Sequence, residues 1–170
     1  DLTLDNDTIV ENEPAGTIVG KLALVDPDGT SGISSYQIVN TPLSWNQAKA
    51  NAEAMGGHLV AVNSAEEWEK VKALPGVRES LWLGATDQDE EGTWKWVTGE
   101  PLEGLDGTPD TFHAWLGGEP NDNGGKEDHA ITWDWGAQLY WNDKTDGSHG
   151  SIVEFPGSSY TLSPGSGDTD

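Results

Sequence analysis

The sequence predicts an α+β fold: two short helices, small antiparallel sheets and a long irregular loop, with a short β segment ahead of them. Three observations carry this. Two serine-headed stretches with apolar residues at helical spacing lie between Ser44 and Leu74. Short β-branched and aromatic runs flank them instead of alternating with helices. Between Trp96 and Ala130 almost no helix or strand periodicity exists, and a loop of that length inside a compact domain is usually functional.

Residues 1–39 read as strands and turns. Thr8-Ile9-Val10 and Thr17-Ile18-Val19 are β-branched runs separated by Glu13-Pro14-Ala15-Gly16, and residues 21–25 alternate before the turn Asp26-Pro27-Asp28-Gly29. Ser44 then caps a helix, with Gln47 completing a capping box. Trp45, Ala48, Ala52 and Met55 share one face and are expected in the core, and Gly56-Gly57 ends the helix. A strand is expected over residues 58–62. Ser64 and Glu67 repeat the capping device for a second helix that buries Trp68, Val71 and Leu74 and stops at Pro75-Gly76. Strands are expected at residues 81–84 and 94–96 and, beyond the loop, at 130–133, 138–141 and 152–155. Trp133 and Trp135 are expected in the core, with ligand stacking as the alternative.

The chain has 170 residues, 30 acidic and 8 basic, a net charge of −22 and no cysteine. Nucleic acid and anionic membranes both need a basic surface, so neither is an expected partner. Disulfides, thiolate zinc sites and a cysteine nucleophile are excluded. No apolar run reaches the ~20 residues of a membrane-spanning helix. The chain opens mid-pattern with Asp1-Leu2-Thr3-Leu4 and is read as a segment of a larger, secreted protein.

The chemistry concentrates near the end. Glu119-Pro120-Asn121, Glu127-Asp128 and Trp141-Asn142-Asp143 bring together carboxylate and amide oxygens. Hard cations such as calcium take six to eight oxygens at about 2.3–2.6 Å. Amides suit a site where metal and ligand are shared, because an amide both accepts and donates. These motifs resemble the primary calcium site of C-type lectins. Leu81-Trp82-Leu83-Gly84 is similar to that family's core strand and Trp94-Lys95-Trp96 to the one after it, so the resemblance spans roughly residues 36–156. It implies that Glu119, Asn121, Glu127, Asn142 and Asp143 hold calcium and that this set meets two vicinal hydroxyls of a mannose-, glucose- or fucose-type sugar. It implies a cis bond before Pro120. It also implies two disulfides, whose positions here carry Ala52 with Val153 and His129 with Asp146.

Asp87-Gln88-Asp89-Glu90-Glu91-Gly92 looks like a helix-loop-helix calcium loop but has Thr98 where the twelfth-position Glu is required. By resemblance to the family it belongs to an auxiliary site, in which Asp87, Glu91, Asp122, Glu127 and Asp128 hold a second calcium ion. Residues 1–39 resemble the start of a bacterial cadherin-like repeat, whose calcium-binding positions match Glu11, Asp26 and Asp28. The repeat is either completed by a strand at residues 159–162, making the lectin-like region an insertion, or is a linker with stray strands. The domains expected are therefore 1–39, 40–156 and 157–170.

No Gly-x-Ser-x-Gly or phosphate-cradling loop is present, the four histidines lack ligand spacing, and metal-bound carboxylates are poor general acids. The expectation is a non-enzymatic, extracellular module of a bacterial adhesin that binds cell-surface glycans through calcium. The alternative is a calcium-rigidified module that binds protein or ice, or is purely architectural.

Overall fold

The computed structural model describes residues 2–4, 22–24, 34–102 and 112–157. Contacts divide the chain into two units, one running from Ser35 to Phe155. In the other, β1 (Leu2–Leu4) and β2 (Leu22–Leu24) pair antiparallel, with Leu2 opposite Leu24. The runs at 8–10 and 17–19, the acidic positions Glu11, Asp26 and Asp28, and the strand expected at 159–162 lie outside the described residues.

The larger unit runs β3 (Ser35–Leu43), α1 (Trp45–Ala54), β4 (His58–Leu59), α2 (Ala65–Lys72), β5 (Leu81–Thr86), β6 (Lys95–Trp96), β7 (His129–Trp135), β8 (Gln138–Lys144) and β9 (His149–Phe155). Its strands form one sheet in the order β3-β9-β5-β7-β8, with β4 on β9 and β6 on β5. Ser35 lies opposite Phe155, so the first and last strands pair and the unit's two ends leave side by side. One pairing departs from the antiparallel expectation: β5 and β9 run parallel.

Ser44 and Ser64 cap the two helices as expected, and only the first completes a capping box. Ser44 Oγ accepts from the Gln47 amide, and Gln47 Oε1 accepts from the Ser44 amide, a reciprocal cap. Ser64 Oγ accepts from the Glu67 amide, but the Glu67 carboxylate does not turn back to Ser64. It accepts from the Asn63 amide at 2.9 Å and the Tyr36 hydroxyl at 2.8 Å, so a buried carboxylate ties α2 to β3. Three expectations need correction. Met55 is 37% exposed: α1 ends at Ala54 and Met55 is its C-cap, so the helix buries Trp45, Ala48 and Ala52 and not Met55. Leu74 lies beyond the end of α2 and is half-buried, packed against the core. Only His58 and Leu59 of the expected strand at 58–62 pair as a strand. Residues 60–62 are nonetheless buried, with the Val60 amide bonded to Ile152 and its carbonyl accepting from Gly84.

Two apolar clusters fill the unit. In one, Trp141 is surrounded edge-to-face by Trp68, Trp96 and Trp115 at ring separations of 5.4–5.7 Å. That nest fixes β8 one residue ahead of Asn142 and Asp143. The other cluster contains Ala52 and Val153, both fully buried, where the family resemblance puts a disulfide. At the second such position the Trp45 ring stacks on His129 at 4.6 Å and 1°, while the Trp45 amide donates to Asp146 at 2.9 Å. Burial lowers the His129 pKa, and the nearby Asp146 charge opposes that shift. Packing and one stacked, hydrogen-bonded cluster thus stand where the relatives' staples are expected.

Gly84 has no room for a side chain. A Cβ there would lie 2.6 Å from the Leu59 carbonyl oxygen and 2.8 Å from that of Val60, both backbone atoms that cannot swing away. Gly84→Ala is expected to cost about 2–3 kcal/mol of stability, measured by denaturant unfolding.

The tip of the β7–β8 hairpin also differs from expectation. Trp135 is 65% exposed and Trp133 is half-buried. The strands pair with each other to the tip, from His129–Lys144 to Trp135–Gln138, whereas β5 reaches β7 only at His129 and Ile131. Beyond Thr132 the ribbon outruns β5, and while Leu139 on one face still packs against the core, Trp135 on the other is left exposed. Gly136 and Ala137 close it with φ of 62° and 68°, the two positive values of the tight turn that matches strand twist.

Candidate functional site

The site is assembled where the long loop meets the end of β8. Residues 114–116 run beside β8: the Trp141 amide donates to Ala114 and the Leu116 amide to the Trp141 carbonyl. A turn follows, with the Glu119 amide donating to Leu116 at 2.8 Å, and the Glu119–Pro120 peptide is cis. The two side chains flanking Pro120 meet, Asn121 Nδ2 donating to Glu119 Oε2. Asp143 anchors this loop from β8: its Oδ2 accepts the amides of Asn121 at 2.9 Å and Asp122 at 2.6 Å. Asp122, at φ 45°, accepts the Glu127 amide on Oδ1 at 3.1 Å, and Glu127 Oε2 accepts the Asn123 amide at 3.0 Å. Asp122, Glu127 and Asp143 are therefore aimed by backbone amides of the loop, and Glu119 by the Asn121 side chain.

A second group sits at the end of β5. The Asp128 carbonyl accepts from the Thr86 hydroxyl at 2.7 Å and the Asp87 amide at 3.2 Å, and Asp87 Oδ2 accepts the Gly92 amide at 2.9 Å. This brings carboxylate oxygens of Asp87, Glu91 and Asp128 within 4.8 Å of one another. One cleft of about 380 Å³ joins the two groups, lined by Asp87, Glu91, Glu119, Asn121, Asp122 and Asp143, with Trp94 among its walls.

Of the five residues predicted to hold the primary ion, Glu119, Asn121 and Asp143 line this cleft. Glu127 is close enough to act on Glu119 through its charge, and Asn142 precedes Asp143 on β8. Of the five predicted for the second ion, Asp87, Glu91 and Asp128 are gathered. Asp122 and Glu127 stand outside that carboxylate group, and Asp122 Oδ1 is engaged by the Glu127 amide. The sequence reading missed Thr86 and Gly92, which hold Asp128 and Asp87 in place. The signal available was the glycine closing the acidic run, which adopts φ 77°.

The electrostatics suit a cation. Burial, the adjacent Asp143 carboxyl and the Glu127 charge push the Glu119 pKa up to about 7. Burial pushes Asp87 up to about 6, against the Gly92 amide and with the charges of Glu91 and Asp128. Three buried oxygens of predicted ligands, Asp87 Oδ1, Asn142 Oδ1 and Asp143 Oδ1, accept no hydrogen bond. A buried acceptor left unpaired costs about 1–3 kcal/mol. Carboxylate and amide oxygens in this arrangement fit a hard divalent cation.

A model of the Lectin C-type domain family matches residues 41–153. The chain belongs to the C-type lectin domain family. Among curated proteins it is similar to the hepatic lectin of Gallus gallus, 38% identical over 108 residues, which are 64% of this chain and 47% of that protein. It is also similar to human C-type lectin domain family 4 member E, 35% identical over 113 residues, 66% of this chain and 49% of that protein. The chain thus spans about half the length of these relatives. A further match is to halomucin of Haloquadratum walsbyi, 33% identical over 134 residues, 72% of this chain but 1% of that protein. Among solved structures, the C-type carbohydrate-recognition domain of cow CD23, crystallised in the presence of a GlcNAc2Man3 oligosaccharide, aligns with TM-score 0.61 and 28% identity over 75% of this chain and 95% of that one. A calcium-independent type II antifreeze protein aligns with TM-score 0.61 and 28% identity, over 80% and 98%. This C-type lectin domain therefore has the α+β fold of a family of binding domains that recognise carbohydrate in general. No helix among its described residues is long and apolar enough to cross a membrane.

Proposed function

We propose that this domain binds glycans in a calcium-dependent manner, as a module of a secreted bacterial adhesin. The observation that carries the proposal is the pair of unpartnered buried oxygens on Asn142 and Asp143 beside the cis Glu119-Pro120-Asn121 turn. In this reading Glu119, Asn121, Glu127, Asn142 and Asp143 hold the primary calcium and meet two vicinal sugar hydroxyls. Asp87, Glu91 and Asp128, with Asp122 and Glu127 beside them, hold a second ion that stiffens the loop. The metal supplies a point of charge that accepts hydroxyl oxygens, and the carboxylates and amides around it order the hydrogen bonds.

The similarity to a segment of halomucin of Haloquadratum walsbyi supports a prokaryotic setting, and the net charge of −22 suits a surrounding rich in calcium. The pairing of β3 with β9 supports an insertion of this unit into a split β-domain, because an insertion must enter and leave at neighbouring points. Single-site affinity is weak in this reading, and attachment comes from repeated contacts on a cell surface.

Retention on immobilised mannose, fucose and galactose in calcium, followed by elution with a chelator, tests the proposal. Retention on mannose or fucose and release by chelation is the expected result. Failure to bind any of the three, by folded and calcium-loaded protein, overturns it and favours the protein- or ice-binding alternative. Glu119 and Asn121 set the order of acceptor and donor presented to the hydroxyl pair. The double variant Glu119→Gln, Asn121→Asp is expected to move preference toward galactose by about tenfold or more. An unchanged sugar profile in the same column assay removes the argument for specificity.

A further inference from the structure

The β7–β8 hairpin carries an aromatic row that neither the core nor the cation sites use. Trp133 lies opposite Tyr140 and Trp135 opposite Gln138, so these four side chains share one face of the ribbon. Asn142, opposite Ile131, continues the same row two residues along β8. Trp135 is 65% exposed, and Trp133 and Tyr140 are half-buried. The Tyr140 hydroxyl donates to Gln138 Oε1 at 2.7 Å, and Lys144 Nζ stands 5.8 Å from the centre of the Trp133 ring. Lys144 is the residue two beyond Asn142 on that face, and its side chain reaches back along the row to bring its ammonium group to the Trp133 ring.

A single exposed indole is ordinary on a protein surface. Two indoles and a phenol on one face, in line with a residue of the sugar site, are different. Flat aromatic surfaces with polar tips suit a partner that is apolar on its ring face and wet at its edges, which describes a pyranose. Residues two apart on a strand are separated by about 6.8 Å and four apart by about 13.6 Å. Tyr140 with Trp133 therefore stands one step from Asn142, and Trp135 with Gln138 two steps.

We propose that this row is a second subsite that stacks on the rings following the one held at the calcium, so that the ligand is an oligosaccharide read along the hairpin. The inference rests on Asn142 belonging to the sugar site proposed above. Lys144, as a cation beside the Trp133 face, adds a donor for hydroxyls of the intervening ring.

The test is calorimetric titration of calcium-loaded protein with methyl mannoside and with linear mannotriose, for the wild type and for Trp135→Ala. The wild type is expected to bind the trisaccharide about five- to tenfold more tightly than the monosaccharide, the size of one good aromatic contact. Trp135→Ala is expected to bring trisaccharide affinity close to the wild-type monosaccharide value. Its calcium-dependent melting midpoint, compared with the wild type, reports whether the variant is folded. Equal affinity of the wild type for both sugars overturns the subsite while leaving the calcium site standing, and so does a gain that survives Trp135→Ala. Binding of neither sugar overturns both. A concentration-dependent dimer that Trp135→Ala abolishes assigns the row to a second copy of the chain and overturns the glycan reading of it.

Discussion

Asn142→Asp is expected to abolish glycan binding, by about 100-fold or more, with much less harm to the fold. Asn142 Oδ1 is buried and accepts no hydrogen bond, so it is available to a cation, while its amide nitrogen remains free to donate to a hydroxyl. Aspartate keeps the acceptor and removes the donor. It also adds a negative charge beside a loop where Glu119 already has its pKa pushed up to about 7 by burial, Asp143 and Glu127. Losing one charge-assisted hydrogen bond and leaving a sugar hydroxyl unpaired costs about 2–3 kcal/mol. The fold suffers less because the residue before it, Trp141, is held by its tryptophan nest and not by the metal. Calorimetric titration with mannose or fucose checks the affinity, and thermal melting in calcium checks the fold. Wild-type affinity in the variant would remove Asn142 from the site.

Calcium is expected to raise the melting temperature by about 10 °C or more at pH 8 and by much less at pH 5. An ion present at a hundredfold excess over its dissociation constant stabilises the folded state by about 2.7 kcal/mol, so two ions contribute about 5 kcal/mol. The pH dependence follows from Glu119, raised from 4.5 to about 7, and Asp87, raised from 3.8 to about 6. A carboxylate whose pKa is higher when folded binds more protons in the native state than in the unfolded state across that window. The stability of the metal-free protein therefore falls as pH rises from about 4 to about 7. Calcium acts in the opposite sense, because it binds the ionised ligands and competes with those protons. The chelated protein is thus expected to melt higher at pH 5 than at pH 8, and the calcium-loaded protein to gain most at pH 8. Asp87→Ala is expected to remove about half of the gain at pH 8. Scanning calorimetry at both pH values, with calcium and with chelator, measures all three. A midpoint indifferent to chelation at pH 8 would overturn both cation sites, and a full gain in Asp87→Ala would overturn the second alone.

The sequence alone was enough for much of the fold because its signals are local. Ser44 with Gln47 and Ser64 with Glu67 mark helix starts through bonds between residues three apart, and both caps form. The run from Leu81 forms the buried central strand β5, since a strand covered on both faces reads as continuously apolar. The candidate ligands were legible for the same reason: Glu119, Asn121, Asn142 and Asp143 stand in short motifs, and the structure brings Glu119, Asn121 and Asp143 to one cleft. The errors arose where burial depends on what lies opposite. Met55 fits the helical face yet sits at the helix's C-cap and stays exposed, and Trp135 fits the strand period yet lies past the end of its neighbouring strand.

The sequence by itself determined the helix starts and most of the strands, the acidic and amide inventory and the lack of disulfides, because each is a property of residues or of neighbours along the chain. Only the tertiary structure decided which oxygens are left without partners, which carboxylates converge on one cleft, and how Trp45, His129 and Asp146 pack at positions where the family resemblance puts a disulfide. It also decided that the aromatic row of the hairpin faces outward in line with Asn142. Those outcomes are set by contacts across the long loop and between strands far apart in sequence. Burial and the proximity of like charges, which give Asp87 and Glu119 their unusual proton affinity, exist only once the chain has closed on itself.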